Sequence, residues 1–231
     1  MTSASLNHIE GIIWDLDDTL YSVTPDLHES MRRSAAQTVI DLGHEIDFEE
    51  ALSLAVESQR VHRLTFKMLN DRFNIDHKDL HLPFHAGMDH TVIKPVPTLV
   101  TAFAALPNMK HTLMTHASRE WGLRMLNHLG IADFFDSSAV FGLEDMGYEH
   151  KDKSDRATKT CLSAIGVDAN KAAFAEDRDW NLPIPHAMGL TTVLMDHPTQ
   201  PRELPPYVHH RFDNATHFLN EIASGQLQKT A

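Results

Sequence analysis

Residues 9–15, Ile-Glu-Gly-Ile-Ile-Trp-Asp, form an apolar run that ends on a carboxylate. A run this short and this apolar reads as a strand buried on both faces. The next residues are Leu16-Asp17-Asp18-Thr19-Leu20. In an extended segment side chains alternate, so Asp15 and Asp17 point the same way and Leu16 the other. Two carboxylates that close repel, and need a cation or a shared proton. A hard cation with oxygen ligands, such as Mg²⁺, fits. The pair also suits a division of labour in which one carboxylate attacks and the other handles a proton. Taken alone, a solvated acidic turn explains these residues equally well, so the rest of the chain has to decide.

After this strand the pattern turns helical. Thr24-Pro25 is a cap followed by proline at the first helical position, with Gly43 as the stop. Asp47-Phe-Glu-Glu50 has the form of a capping box and predicts a long helix from about Phe48 to the low seventies, with Leu52, Val56, Leu64, Met68 and Leu69 on its apolar face. The stretch 75–95 reads as partly helical. Residues from about 20 to 95 are therefore expected to be a helical insert with no strand of its own.

From there strand and helix alternate. Helix is predicted for Pro97–Leu106, strand for His111–Thr115, and helix from a Ser118 cap to Leu129 before Gly130. A short strand at Ser138–Phe141 precedes a helix from about Ser154 to Ile165, stopped by Gly166. Strands at Ala172–Ala175 and Thr191–Met195 flank a short helix at Asn181–Met188, and a last helix covers about Ala215–Ile222, with Gly-Gln-Leu-Gln-Lys-Thr-Ala as a loose tail. Such alternation argues for an α/β parallel sheet covered on both faces, whose ligand sits beyond the carboxyl ends of the strands.

The polar residues at those ends are the ones to weigh. Thr115 ends the second strand, where a hydroxyl and the following backbone N–H groups could hold a phosphoryl oxygen; an ordinary turn threonine is the plainer reading. Lys151 and Lys153 precede a helix, and either could neutralise a nucleophile and a phosphoryl oxygen together. Glu176-Asp177 ends a strand that adjoins the first in a doubly wound sheet and could complete a cation site. Asp177 is expected to be the direct ligand, with Glu176 acting through a water, Asp179 as competing candidate, and Asn181 fixing the loop or capping the next helix.

Composition bounds the partners. A net charge of −12 disfavours long nucleic acids. No apolar run is long enough to cross a membrane, and the start, MTSASLNHIE, lacks the pattern of a secretory signal. The single cysteine, Cys161, forbids an internal disulfide and fits a reducing cytoplasm. The 17 histidines are scattered and none shows HxxxH spacing beside a glutamate, so surface and supporting roles are expected of most. Nothing in the sequence fixes an oligomeric state.

In this order, the strand-end residues resemble the four motifs of the haloacid dehalogenase superfamily. Asp15-Leu-Asp-Asp-Thr19-Leu20 matches its DxDxT motif, Thr115 its second, a lysine its third, and Glu176-Asp177-x-x-x-Asn181-Leu182 a form of its fourth. The resemblance covers nearly the whole chain, and is closest to the pyrimidine 5′-nucleotidase-like branch, in IIWDLDDTLY, FAEDRDWNLPIPHAMGLTTVLM and YVHHRFDN. It implies a Rossmann-like core from residues 1–20 and 96–231, with a helical cap at 21–95 inserted after the first strand. It implies a magnesium-dependent phosphatase acting on a small phosphorylated metabolite or nucleotide, with a pyrimidine nucleoside 5′-monophosphate suggested by the branch. Asp15 would form an aspartyl-phosphate, Asp17 would act as acid and then base, and Mg²⁺ would be held by Asp15, the Asp17 carbonyl and Asp177. Thr115 and the lysine would orient the phosphoryl group, and the cap would close over the site and choose the leaving group.

Two motifs depart from the family pattern. Thr115-His116-Ala117 stands where Thr-Asn-Gly is usual, which puts His116 forward as a further phosphate-binding residue. His-Lys-Asp-Lys-Ser-Asp stands where lysine-proline is usual. Counting back from Gly166, the expected lysine falls on Asp152, between Lys151 and Lys153; a cap at Asp155 tilts the choice slightly to Lys153. A dehalogenase would need neither Asp17 nor a metal. A phosphomutase would keep both aspartates, though glycine is commoner there than Thr19. A non-catalytic relic would have no use for three mutually repelling carboxylates.

Overall fold

A computed structural model describes residues 6–62, 64–196 and 203–230, with side chains described as far as residue 225. The chain divides into two compact units, one comprising the residues up to Ser22 and from Pro95 onward, the other Val23–Lys94. The first carries a sheet of six parallel strands in the order β3-β2-β1-β4-β5-β6. The strands are β1 Gly11–Trp14, β2 Lys110–Met114, β3 Val140–Phe141, β4 Ala172–Glu176, β5 Thr191–Met195 and β6 His210–Phe212. β1 lies between β2 and β4, with Trp14 in register with Leu113 on one side and Ala175 on the other.

Both faces of the sheet are dry, as its unbroken apolar strands require. On one face Ile13, Met114, Phe174 and Leu194 pack with Cys161 of α7 (Arg156–Ile165) and with Leu182. On the other, Trp14 meets Phe103 of α5 (Pro97–Ala104) at 5.6 Å between ring centroids and Phe218 of α9 (Ala215–Thr230) at 5.8 Å. Trp14 also donates from Nε1 to Nδ1 of buried His111, 3.1 Å away, tying β1 to β2 through side chains. α6 (Arg119–His128) starts where Ser118 Oγ accepts from the Trp121 N–H at 3.1 Å, the cap that the sequence implies. Gly142, just past β3, faces that start so closely that a Cβ would strike the backbone of Ser118 and Arg119.

The second unit is helical: α1 Pro25–Asp41, α2 Phe48–His62, α3 Lys67–Phe73, α4 His77–Ala86 and a 3₁₀ turn at His90–Val92. Thr24 caps α1 and Asp47 accepts from the Glu50 N–H at 2.8 Å. The long helix expected from Phe48 to the low seventies is two helices. Ser58 is the physical reason, because its hydroxyl donates to the Leu64 carbonyl at 2.5 Å and accepts from the Met68 N–H at 3.2 Å, competing with the helical ladder. Arg63, inside the expected helix, lies outside the described residues. Phe84 is buried against Phe66, centroids 5.1 Å apart, as part of this unit's interior. His77, His81 and His85 fall on successive turns of α4 with centroids 5.6 and 4.6 Å apart, so the histidines are less scattered than their sequence suggests.

Three further expectations change. β6 was not anticipated, because His210-Arg-Phe212 is too short and polar to read as a strand; it is held by pairing with β5. α9 continues past Ile222 to Thr230, through most of the expected tail, and Ala231 lies outside the described residues. The expected helix at Asn181–Met188 is a 3₁₀ turn at Asp179–Asn181 followed by α8, Pro183–Ala187, since two prolines leave no room for a longer ladder. Among the described residues no helix is long and apolar enough to cross a membrane.

Candidate active site

β1 ends at Trp14, and Asp15 still pairs with the sheet: its N–H donates to the Ala175 carbonyl of β4 at 2.9 Å. The chain then folds back sharply, with the N–H groups of Thr19 and Leu20 both donating to the Leu16 carbonyl and Asp18 in the left-handed region at φ 58°. This turn brings Tyr21 alongside Asp17, where its hydroxyl donates to Asp17 Oδ1. The same hydroxyl accepts from Trp121 Nε1 of α6 at 3.2 Å. Burial raises the Asp17 carboxyl and the Tyr21 hydrogen bond opposes it. Sequence reasoning missed Tyr21 and Trp121: a tyrosine four residues on and a helix tryptophan have no spacing that marks them.

Lys151 is buried, and its ammonium bridges Asp15 Oδ1 and Glu176 Oε2, the latter at 3.0 Å. It also lies 5.7 Å from the centre of the Phe174 ring. Burial works against its charge, but the two carboxylates outweigh that and hold its pKa above the ordinary lysine value. Lys153 is exposed and pairs with its neighbour Asp152 at 2.7 Å. The structure thus brings Lys151, and not the slightly favoured Lys153, to Asp15 and Glu176. Asp155 does stand at the N-cap of α7, but makes no capping hydrogen bond and pairs with Lys159 at 2.6 Å instead, so distance to the helix does not choose the lysine.

Glu176 is fully buried, accepting from Lys151 and, through Oε1, from the Arg178 N–H at 3.1 Å. Asp177 is partly exposed and pairs with Arg178 Nε at 2.8 Å. One carboxylate oxygen from each of Asp15, Glu176 and Asp177 lies within 4.8 Å of the others. Asp179 starts the following 3₁₀ turn and is not one of the three; Asn181 is buried with its Oδ1 unbonded, so it caps nothing. Burial first, then Glu176, push Asp15 up to about 7, against Lys151. Burial first, then Asp15 and Glu176, push Asp177 up to about 9. Three carboxylates so close together repel, and a cation among them would relieve that repulsion; an all-oxygen donor set suits a hard one. The residues present therefore fit a magnesium ion.

Thr115 is buried just past β2, and its Oγ1 accepts from the Ala117 N–H at 3.0 Å. An oxygen that accepts in this way can still donate its own hydrogen. His116 is half-buried; its Nε2 accepts from the Lys151 N–H at 3.1 Å and its ring lies 4.7 Å from that of His150. The strand ends thus gather a carboxylate, an ammonium and an acidic pair at one place, with a hydroxyl at the adjacent strand end.

Such a constellation on a parallel sheet belongs to a class of hydrolases, and comparison with known proteins says which. The family model described as a haloacid dehalogenase-like hydrolase matches residues 9–189. The chain belongs to that family. Similar proteins include the glyceraldehyde 3-phosphate phosphatase of Methanocaldococcus jannaschii, 27% identical over 201 residues, covering 80% of this chain and 84% of that one. The protein of the same name from Pyrococcus abyssi is 28% identical over 185 residues, 74% of each chain. Among solved structures, a HAD phosphatase from Thermococcus onnurineus superposes with a TM-score of 0.63 at 14% identity, over 94% of this chain and 99% of that one; the likeness concerns the fold.

Proposed function

We propose that this chain is a magnesium-dependent phosphatase that hydrolyses a small phosphomonoester through an aspartyl-phosphate on Asp15. The observation that carries the proposal is Lys151, an ammonium buried between Asp15 and Glu176 with Asp177 close by. An ion bridge of this kind is costly to desolvate and adds little to stability, which favours a chemical role.

In this reading Asp15 attacks phosphorus while the bond from phosphorus to the leaving oxygen breaks. Asp17 gives that oxygen its proton, then takes a proton from the water that cleaves the aspartyl-phosphate, releasing inorganic phosphate and restoring Asp15. Lys151 and the Thr115 hydroxyl orient the phosphoryl oxygens and balance their charge, and positioning with electrostatics supplies most of the rate in phosphoryl transfer. A magnesium ion held by Asp15, the Asp17 carbonyl and Asp177, with Glu176 behind them, would shield the carboxylate from the phosphate dianion when bound. The helical unit, residues 23–94, is assigned the selection of the leaving group.

Two substrate classes follow from different observations. The names of the curated relatives favour a triose phosphate, and the text around the first and fourth motifs favours a pyrimidine nucleoside 5′-monophosphate. Phosphate release from both classes, with Mg²⁺ and with EDTA, tests the proposal. Turnover that needs Mg²⁺, is lost in Lys151→Met and survives in Lys153→Met is expected. Folded protein with Mg²⁺ and no turnover on any ester would sink it.

A further inference from the structure

The two places where this chain departs from its family's motifs are joined through Lys151, whose N–H donates to His116. His116 replaces the usual asparagine after Thr115, and Asp152 replaces the proline that usually follows the lysine. Proline would have fixed its own φ and confined the lysine before it to extended backbone; Asp152 imposes neither constraint. The segment from Gly142 to Asp155 holds no helix or strand among its residues. Its only regular feature around the lysine is a turn closed by the Lys153 N–H on the His150 carbonyl at 3.1 Å. Lys151 stands inside that turn, on a side chain with four rotatable bonds.

We infer that His116 is a positioning residue that replaces the missing proline, its Nε2 holding the Lys151 N–H so that the ammonium arrives between Asp15 and Glu176. The lysine is then held at both ends, at its backbone by His116, two residues past β2, and at its head by the two carboxylates. An acceptor is needed, so the imidazole has to be neutral. Burial first, and then Lys151 and His150, keep it so down to about 2. The proton then sits on Nδ1. The inference rests on the phosphatase reading for its consequence, but the hydrogen bond can be judged without it.

Geometry also predicts which replacement works. The acceptor of a glutamine reaches about as far as Nε2 of histidine, whereas that of an asparagine stops about one bond short, nearer Nδ1. The family's own asparagine should therefore fail here and glutamine should rescue. The test compares wild type with His116→Ala, His116→Asn and His116→Gln, reading Lys151 amide hydrogen exchange and the kcat and KM for p-nitrophenyl phosphate with Mg²⁺. We expect Lys151 exchange at least about tenfold faster in the Ala and Asn variants. Their kcat should fall by about 10- to 100-fold, the scale set by small displacements of a catalytic group. Both quantities should return to near wild type in His116→Gln.

Unchanged exchange and kcat in His116→Ala would overturn the inference. So would a raised KM with unchanged kcat, which marks a side chain that touches the ester itself. If the Ala variant does not fold, the Gln and Asn pair decides: equal kcat and equal exchange in those two overturns it. Absence of wild-type turnover defeats the phosphatase reading, and the clamp is then judged on amide exchange alone, slow exchange in wild type and Gln against fast exchange in Asn supporting it.

Discussion

Tyr21 and Asp17 show how a single residue can set the chemistry of its neighbour. In the proposed mechanism the Asp17 carboxyl carries a proton to the leaving oxygen, and the Tyr21 hydroxyl, which accepts from Trp121, donates to that carboxyl. Esters differ in how much they need that proton. An alkyl phosphate expels a strongly basic alkoxide, whereas p-nitrophenolate leaves unaided. Tyr21→Phe is therefore expected to lower kcat for an alkyl phosphate such as glycerol phosphate by about 10- to 100-fold, the usual worth of a positioned acid, and to lower it much less for p-nitrophenyl phosphate. Equal losses on the two esters would show that Tyr21 only supports the fold. The carboxylates were legible in the sequence only together, because acids at two strand ends that a parallel sheet sets side by side say more than the acidic turn after β1 says alone. The lysine was not: Lys151 and Lys153 are chemically identical, and only the third dimension shows one buried in an ion bridge and the other paired with its neighbour in solvent.

At the scale of elements, β1 and β2 are joined by more than their ladder. His111 accepts from Trp14 across the pair, and burial lowers its pKa to about 3. In the unfolded chain a histidine takes up its proton below about 6.5. The contribution of His111 is thus fully present above that value and is lost as pH falls toward 3, because the unfolded state then binds a proton the folded state refuses. Urea unfolding of wild type and His111→Gln at neutral and mildly acid pH isolates the term. The difference in unfolding free energy should move in favour of the variant below 6.5, by up to about 1.4 kcal/mol per pH unit. A difference independent of pH would contradict a neutral buried imidazole. Elements whose own residues decide their state were readable: β1, β2, β4 and β5 as apolar runs, α6 from its Ser118 cap. Elements decided by partners were not. β6 exists because β5 offers an edge, and the break between α2 and α3 exists because one serine hydroxyl reaches across it.

The whole molecule joins a parallel sheet, whose strand ends assemble the chemistry, to a helical unit inserted in the chain between Ser22 and Pro95. What the fold contributes is the arrangement that sets β4 beside β1, so that acids more than 160 residues apart in sequence come within 4.8 Å of one another. In the proposed reaction Asp15 becomes covalently phosphorylated. Acid quenching during turnover of a radiolabelled phosphomonoester with Mg²⁺, followed by peptide mapping, tests it directly. A base-labile phosphoryl group is expected on the peptide holding Asp15, and none in Asp15→Asn. Wild-type turnover with no label on that peptide, at quench times that resolve a single turnover, would contradict it.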